Sequence, residues 1–138
     1  MKNKTITDSH VRILVVDGDP YYLEIIPAAL TQDGTYAVLT ASTGFDAGLI
    51  VAEHRPHVVI LDIHLPDIDG RMVCERIRAH EGTVNTRILA VSSYIEEEEV
   101  SGLSTHGFDD FLRKPFQTEE LKVRVAQLLQ PLAAHTAQ

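Results

Sequence analysis

Four short apolar runs punctuate the chain: Ile13-Leu14-Val15-Val16, Tyr36-Ala37-Val38-Leu39, Val58-Val59-Ile60-Leu61 and Ile88-Leu89-Ala90-Val91. Each is continuous rather than alternating, and three are rich in Val and Ile. That pattern suits strands of a parallel sheet covered on both faces. A weaker fifth strand is predicted over Phe108 to Leu112. Between the runs the period changes. Leu23, Ile26 and Leu30 fall at i, i+3, i+7, as do Ala47, Ile50 and His54. Val73 and Ile77 lie four apart, and Leu121, Val125 and Leu128 repeat i, i+4, i+7, so each stretch predicts a helix with one apolar stripe.

Start signals agree with this division. Asp19-Pro20 reads as N-cap and first-turn proline, Thr43-x-x-Asp46 and Asp69-Gly70 can open the second and third helices, and Ser93-x-x-Glu96 predicts a capping box for the fourth. Pro27 removes the hydrogen bond to the Leu23 carbonyl and is predicted to bend the first helix. Strand and helix thus alternate five times. The expected fold is α/β: a doubly wound (βα)5 sandwich on a five-stranded parallel sheet, with right-handed crossovers putting helices on both faces. The domain is expected over residues 11–130. Residues 1–10 read as an N-terminal tail, and 131–138 as a C-terminal tail or the start of a linker.

Composition narrows the setting. No apolar run approaches the ~20 residues of a membrane helix, and residues 1–10 carry no hydrophobic signal region, so neither membrane insertion nor export is expected. Cys74 is the single cysteine, which fits a reducing cytoplasm. A net charge of −8 with scattered Lys and Arg argues against direct nucleic-acid binding by this segment.

Ligands of open α/β sheets bind beyond the carboxyl ends of the strands. The first strand runs into Asp17, with Asp19 two residues on; the third ends in Asp62, the fourth in Ser92-Ser93 and the fifth in Lys114. In a sheet ordered 2-1-3-4-5, the flavodoxin-like order, these carboxylates, hydroxyl and ammonium converge on one rim. Crowded carboxylates raise one another's pKa unless a cation lies between them, and oxygen ligands with room for water suit Mg²⁺ (or Mn²⁺). One carboxylate held ionised in this way can attack phosphorus and form an acyl phosphate, while Lys114 and the Ser92 hydroxyl share the charge of the phosphoryl oxygens.

The same residues carry a family resemblance. Ile13 to Asp17 followed by Asp19-Pro20, the segment Asp62-Ile63-His64-Leu65-Pro66-Asp67-Ile68-Asp69-Gly70, Ala90-Val91-Ser92-Ser93, and Gly107 to Phe116 with its Lys114-Pro115 turn resemble, in order and spacing, the receiver domains of two-component response regulators. The likeness covers about residues 11–129. It implies that Asp62 is the phosphoacceptor and that Asp17, Asp62 and the backbone carbonyl of His64 hold the metal. It implies too that Ser92 and Lys114 bind the phosphoryl group, that Ser92 and Phe111 are switch residues, and that the Lys114-Pro115 bond is cis. Implied partners are a sensor histidine kinase or a histidine phosphotransfer protein and a downstream effector protein or domain. A homodimer through the fourth-helix, fifth-strand and fifth-helix surface stays open. On this reading the chain is a signalling domain that catalyses its own phosphorylation and dephosphorylation, not a metabolic enzyme.

One position departs from the family. Gly18 stands where a second metal-site acid is usual, so Asp19 becomes a further candidate ligand, although N-capping before Pro20 accounts for it equally well. The same glycine leaves an alternative, a pseudo-receiver that works by protein contact without phosphorylation. Two rivals weaken on their own terms. Asp17-Gly18-Asp19 also resembles the nucleophile motif of haloacid-dehalogenase-type phosphatases, but the acidic pair those enzymes place after their lysine is missing, and Asp62 goes unexplained. A flavodoxin-like flavin carrier would have its phosphate repelled by Asp17 and Asp19.

Overall fold

The computed structural model describes residues 10–136, with side chains to residue 130. Five strands, β1 (Val11–Val16), β2 (Tyr36–Ala41), β3 (Val58–Asp62), β4 (Arg87–Ser92) and β5 (Asp110–Arg113), form one parallel sheet of order β2-β1-β3-β4-β5. The helices are α1 (Pro20–Leu30), α2 (Gly44–His54), α3 (Gly70–Ala79), α4 (Glu97–Ser101), α5 (Leu103–His106) and α6 (Thr118–Thr136). The expected architecture and strand order are both present.

Alternation along the strands feeds two separate cores. Leu14, Val16, Val59, Leu61, Ile88 and Ala90 face α2, α3 and α5 with Ala47, Val51, Val73, Ile77 and Leu103. Ile13, Val15, Val58, Ile60, Leu89 and Val91 face α1 and α6 with Ile26, Leu30, Leu121, Val125 and Leu128. Both faces of β1, β3 and β4 are therefore dry, which is why their sequences read as unbroken apolar runs. The register pairs Val16 with Leu61 and Asp62 with Val91, bringing the ends of β1, β3 and β4 level.

The caps of the first three helices match the sequence signals: Asp19 accepts from Tyr21 N, Thr43 from Asp46 N and Asp69 from Arg71 N. The α1 helix runs through Pro27 to Leu30. Three expectations need correcting. The fourth helix is two short pieces meeting at Gly102, and its N-cap is Glu96 rather than Ser93; Glu99 Oε1 reaches back to accept from Glu96 N (3.0 Å). Ser93 is left in an exposed turn because the neighbouring Ser92 hydroxyl already bonds Tyr94 N and holds the chain out of helix. The fifth strand begins two residues later than expected, at Asp110, since Phe108 is drawn into the α3/α5 core. The last helix also continues to Thr136, past residue 130 where the sequence suggested the domain ends. Of the expected N-terminal tail, residues 1–9 lie outside the described residues.

Candidate functional site: a charge cluster at the strand ends

At the carboxyl ends of β1, β3, β4 and β5 lie Asp17, Asp62, Ser92 and Lys114, all buried. Lys114 Nζ sits 2.7 Å from Asp17 Oδ2 and 3.0 Å from Asp62 Oδ2, so one ammonium bridges two carboxylates. The pairing is asymmetric. Asp62 Oδ2 accepts a hydrogen bond from Nζ, whereas Asp17 Oδ2, although nearer, lies off the hydrogen-bonding directions and has no such partner. The other oxygens are fixed by backbone: Asp17 Oδ1 accepts from Asp19 N and Asp62 Oδ1 from His64 N, both at 2.9 Å. Tyr22 closes the lysine from the opposite side, its ring centroid 4.1 Å from Nζ and tilted against Phe116.

Electrostatics follow from burial. Loss of solvent pushes the Asp17 carboxyl above its usual range, an effect that Lys114 and the Asp19 amide only partly offset. Burial opposes the charge on Lys114 too, but its ion pairs with Asp17 and Asp62 outweigh that and raise its pKa. The cluster formally sets two carboxylates against one ammonium, and that excess of negative charge suits a further cation.

A hard divalent ion that keeps several waters needs only one or two carboxylates. Asp17 and Asp62 fit that demand, because their Oδ2 atoms lie within reach of a single ammonium and one of them lacks a donor. No group of three or more His, Cys, Asp or Glu that would hold a metal occurs among the described residues, so backbone and water would complete the shell. Asp19 faces the helix instead: its Oδ1 accepts from Tyr21 N at 2.9 Å, and capping accounts for it. A Cβ at Gly18 would stand 3.1 Å from Pro66 Cδ, a tight approach to which Pro66 would have to give by a few tenths of an ångström.

Of the remaining expected residues, His64 lies two residues after Asp62 in the β3–α3 loop, and its ring Nε2 lies 2.7 Å from the Tyr94 carbonyl. Ser92 Oγ bonds Tyr94 as well, accepting from its N–H at 3.1 Å. Two loops are thus latched together over the site. Phe111, expected in the core, is half-buried, with the Arg113 guanidinium 5.5 Å from its ring centroid. The Lys114-Pro115 bond is cis.

Two residues shape the site beyond what the sequence suggested. Asp67 reaches across to the start of α2 and accepts from Gly44 N (2.8 Å) and Phe45 N (3.0 Å), tying the β3–α3 loop to a second helix. Its short spacing to Asp62 hinted only at a loop role, since the partner lies 23 residues away. Gly70 packs so closely on β3 that a Cβ there would collide with the Asp62 carbonyl oxygen and lie 2.8 Å from Ile63 Cα.

A parallel sheet of this order with an Asp–Lys–Asp cluster at the switch point places the charged groups where ligands of doubly wound folds bind. The family model described as "Response regulator receiver domain" matches residues 13–126, and the chain belongs to that family. Response regulator MprA of Mycobacterium sp. (strain KMS) is 39% identical over 119 residues, covering 86% of this chain and 50% of the relative. The DNA-binding dual master transcriptional regulator RpaA of Synechocystis sp. is 34% identical, covering 86% and 48%. The chain spans about half the length of the curated relatives it matches. Among solved structures, a putative response regulator from Chloroflexus aurantiacus superposes with a TM-score of 0.81 at 31% identity, covering 88% of this chain and 98% of that one. The BeF3-activated DrrB receiver domain gives 0.78 at 32% identity, with the same coverage. Among the described residues, no helix is long and apolar enough to cross a membrane.

Proposed function

We propose that this receiver domain takes a phosphoryl group onto Asp62 from a phosphohistidine of a sensor histidine kinase or histidine phosphotransfer protein. One observation carries the reading: a buried ammonium, Lys114, bridges Asp62 and a second buried carboxylate, Asp17. In the transfer an Asp62 oxygen attacks phosphorus, the P–N bond breaks, and the imidazole nitrogen keeps the electron pair. Lys114 exchanges part of its pairing with Asp62 for the incoming phosphoryl oxygens. Ser92 turns its hydroxyl from Tyr94 toward the same group, which frees the β4–α4 loop and shifts the α4–β5 face, Phe111 included, between two packings. Asp17, Asp62 and the His64 carbonyl, with water, would hold magnesium or manganese, whose charge would keep Asp62 ionised. An effector protein or domain then reads the altered face.

Incubating the chain with acetyl phosphate and Mg²⁺, then locating the acyl phosphate by borohydride trapping and mass spectrometry, tests this directly. Modification at Asp62, lost in Asp62→Asn, is the expected result. An unmodified Asp62 would leave the second reading, a phosphorylation-independent interaction module. Gly18 favours that module, because it leaves the site one hard ligand short.

A further inference from the structure

Between Ser92 and the start of α4 the chain has little apolar anchorage. Ser93, Tyr94 and Glu96 are exposed, and only Ile95 packs, half-buried, against the α2/α3 core. The α4 helix itself buries none of its five residues. Polar contacts hold this segment instead, and they reach it from two sides. From the β3–α3 loop, His64 Nε2 lies 2.7 Å from the Tyr94 carbonyl oxygen; a carbonyl only accepts, so the ring nitrogen donates. From β5, Arg113 Nη1 donates to the next carbonyl, that of Ile95, at 3.0 Å.

Strand register accounts for the second contact. Ser92 and Arg113 are paired across β4 and β5, so the arginine stands beside the chain where it leaves the sheet. The same guanidinium reaches Glu97 Oε2 at 3.2 Å and lies 5.5 Å from the Phe111 ring centroid. One side chain thus touches the linker, the helix and the expected switch aromatic. The Glu97 carboxylate is almost wholly in water, so that ion pair contributes little; the bonds to the two carbonyls weigh more. Ser92 also bonds Tyr94, donating to its carbonyl oxygen at 3.3 Å and accepting from its N–H at 3.1 Å. Those two bonds go when the hydroxyl turns to a phosphoryl group, but the His64 and Arg113 bonds are independent of them.

We propose that Arg113, together with the His64 ring, is a positioning residue for the phosphoryl transfer, a role that rests on the receiver reading of Asp62. The two side chains clamp the Tyr94–Ile95 segment in its unmodified arrangement and so set how readily the α4–β5 face changes packing. A contact made only in the resting packing lowers the apparent affinity of any ligand that selects the other packing. Loosening the clamp therefore tightens binding of a phosphoryl mimic. A residue that merely stabilised the fold would leave that affinity unchanged or weaken it.

The test uses the full chain in two measurements. The partners of the Arg113 side chain, Ile95, Glu97 and Phe111, lie outside the phosphoryl site, so Arg113→Met leaves that site's own groups in place. In an NMR titration with beryllofluoride and Mg²⁺, Arg113→Met should bind at least about threefold more tightly than wild type, and Arg113→Lys, which keeps a cationic donor, should lie nearer the wild-type value. Without any phosphoryl mimic, amide exchange at Tyr94, Glu96, Glu99 and Val100, each of which has an acceptor, should be at least about threefold faster in Arg113→Met and His64→Leu. His64→Gln, whose amide nitrogen can still donate, should exchange more slowly than His64→Leu. Weaker or unchanged beryllofluoride binding in Arg113→Met would overturn the proposal. So would unchanged exchange in that variant, or exchange that quickens equally in β1 and β3. Should wild type take no beryllofluoride, the receiver reading of Asp62 fails by itself, and the exchange rates still decide whether the clamp exists.

Discussion

Around Asp17 and Asp62 every short-range freedom has been removed. Both carboxylates are buried and backbone-bonded, Lys114 lies between them, and Gly70 lets α3 start in contact with β3 itself. Beyond Ser92 the chain is built the other way. The α4 helix is five residues long, buries none of them and starts with a run of glutamates; α5 adds four residues and one buried side chain, Leu103. The two regions meet at the Ser92–Tyr94–His64 contacts. Segments with little buried apolar surface open most easily, so a change made at the rigid cluster has a low-stability neighbour on which to act. Rigidity on one side and loose anchoring on the other is what a two-state face requires.

The sharpest way to break that contrast is Gly70→Ala. The added methyl would run into the Asp62 carbonyl oxygen at the end of β3 and stand 2.8 Å from Cα of the buried Ile63 that follows it, backbone with little room to yield. A loss of about 3 kcal/mol or more is expected in urea denaturation, with the midpoint moving and the slope unchanged. A loss below about 1 kcal/mol would mean that the β3–α3 loop is as pliable as α4, and the contrast would be gone.

Lys114→Met tests the cluster electrostatically. Removing the ammonium leaves Asp17 and Asp62 facing each other, and roughly 2 kcal/mol of stability should disappear at pH 8. The pH dependence has a definite sign. Burial already holds the Asp17 carboxyl above its ordinary 3.8, so the folded state binds a proton that the unfolded chain has released. Stability is therefore regained as pH falls through the folded value, and the regain is complete below about 3.8. The deficit of the variant should shrink over the same range. In the wild type, the contribution of Lys114, whose pKa is raised, persists at neutral pH and is lost only above 10.5. A deficit that stays constant with pH would show that the variant removes something other than the charge balance with Asp17.

Asp67→Asn probes the tie between the loop and α2 with the opposite sign. Two backbone amides, those of Gly44 and Phe45, hold this exposed carboxyl below its usual 3.8. Its contribution is present above that value and fades as pH falls through the lower, folded one. Wild type and variant should differ modestly at neutral pH by thermal unfolding and converge in acid. A difference that survives in acid would assign the effect to α2 packing instead.

These residues also show what the sequence could convey. Strands buried on both faces announce themselves as apolar runs, and strand ends with Asp, Ser and Lys mark the rim, so β1, β3, β4 and the Asp17–Asp62–Lys114 grouping were legible. The α4–α5 region was not, because its stability comes from no apolar stripe; a glutamate-rich cap can start at Ser93 or Glu96, and only the use of the Ser92 hydroxyl by Tyr94 decides between them. The bridge from Asp67 to Gly44 N joins residues far apart in the chain, and no local pattern encodes it.

The smallest expected effect lies in the loose region and is informative for that reason. Gly102 joins α4 to α5 at φ −89° and ψ −4°, a conformation alanine adopts freely, and a Cβ there would meet only the Glu99 carbonyl oxygen at an ordinary 3.6 Å. Gly102→Ala should therefore be neutral or stabilise by about 0.5 kcal/mol, mainly by restricting the unfolded chain. It should also slow amide exchange across Val100 to Thr105, since the two short helices then share a better helix former at their junction. The same methyl that is ruinous at Gly70 would be welcome 32 residues later, because one neighbour is a buried strand backbone and the other a solvated helix end. Destabilisation by more than about 1 kcal/mol would show instead that the α4–α5 junction is strained, and that the looseness of this face is only apparent.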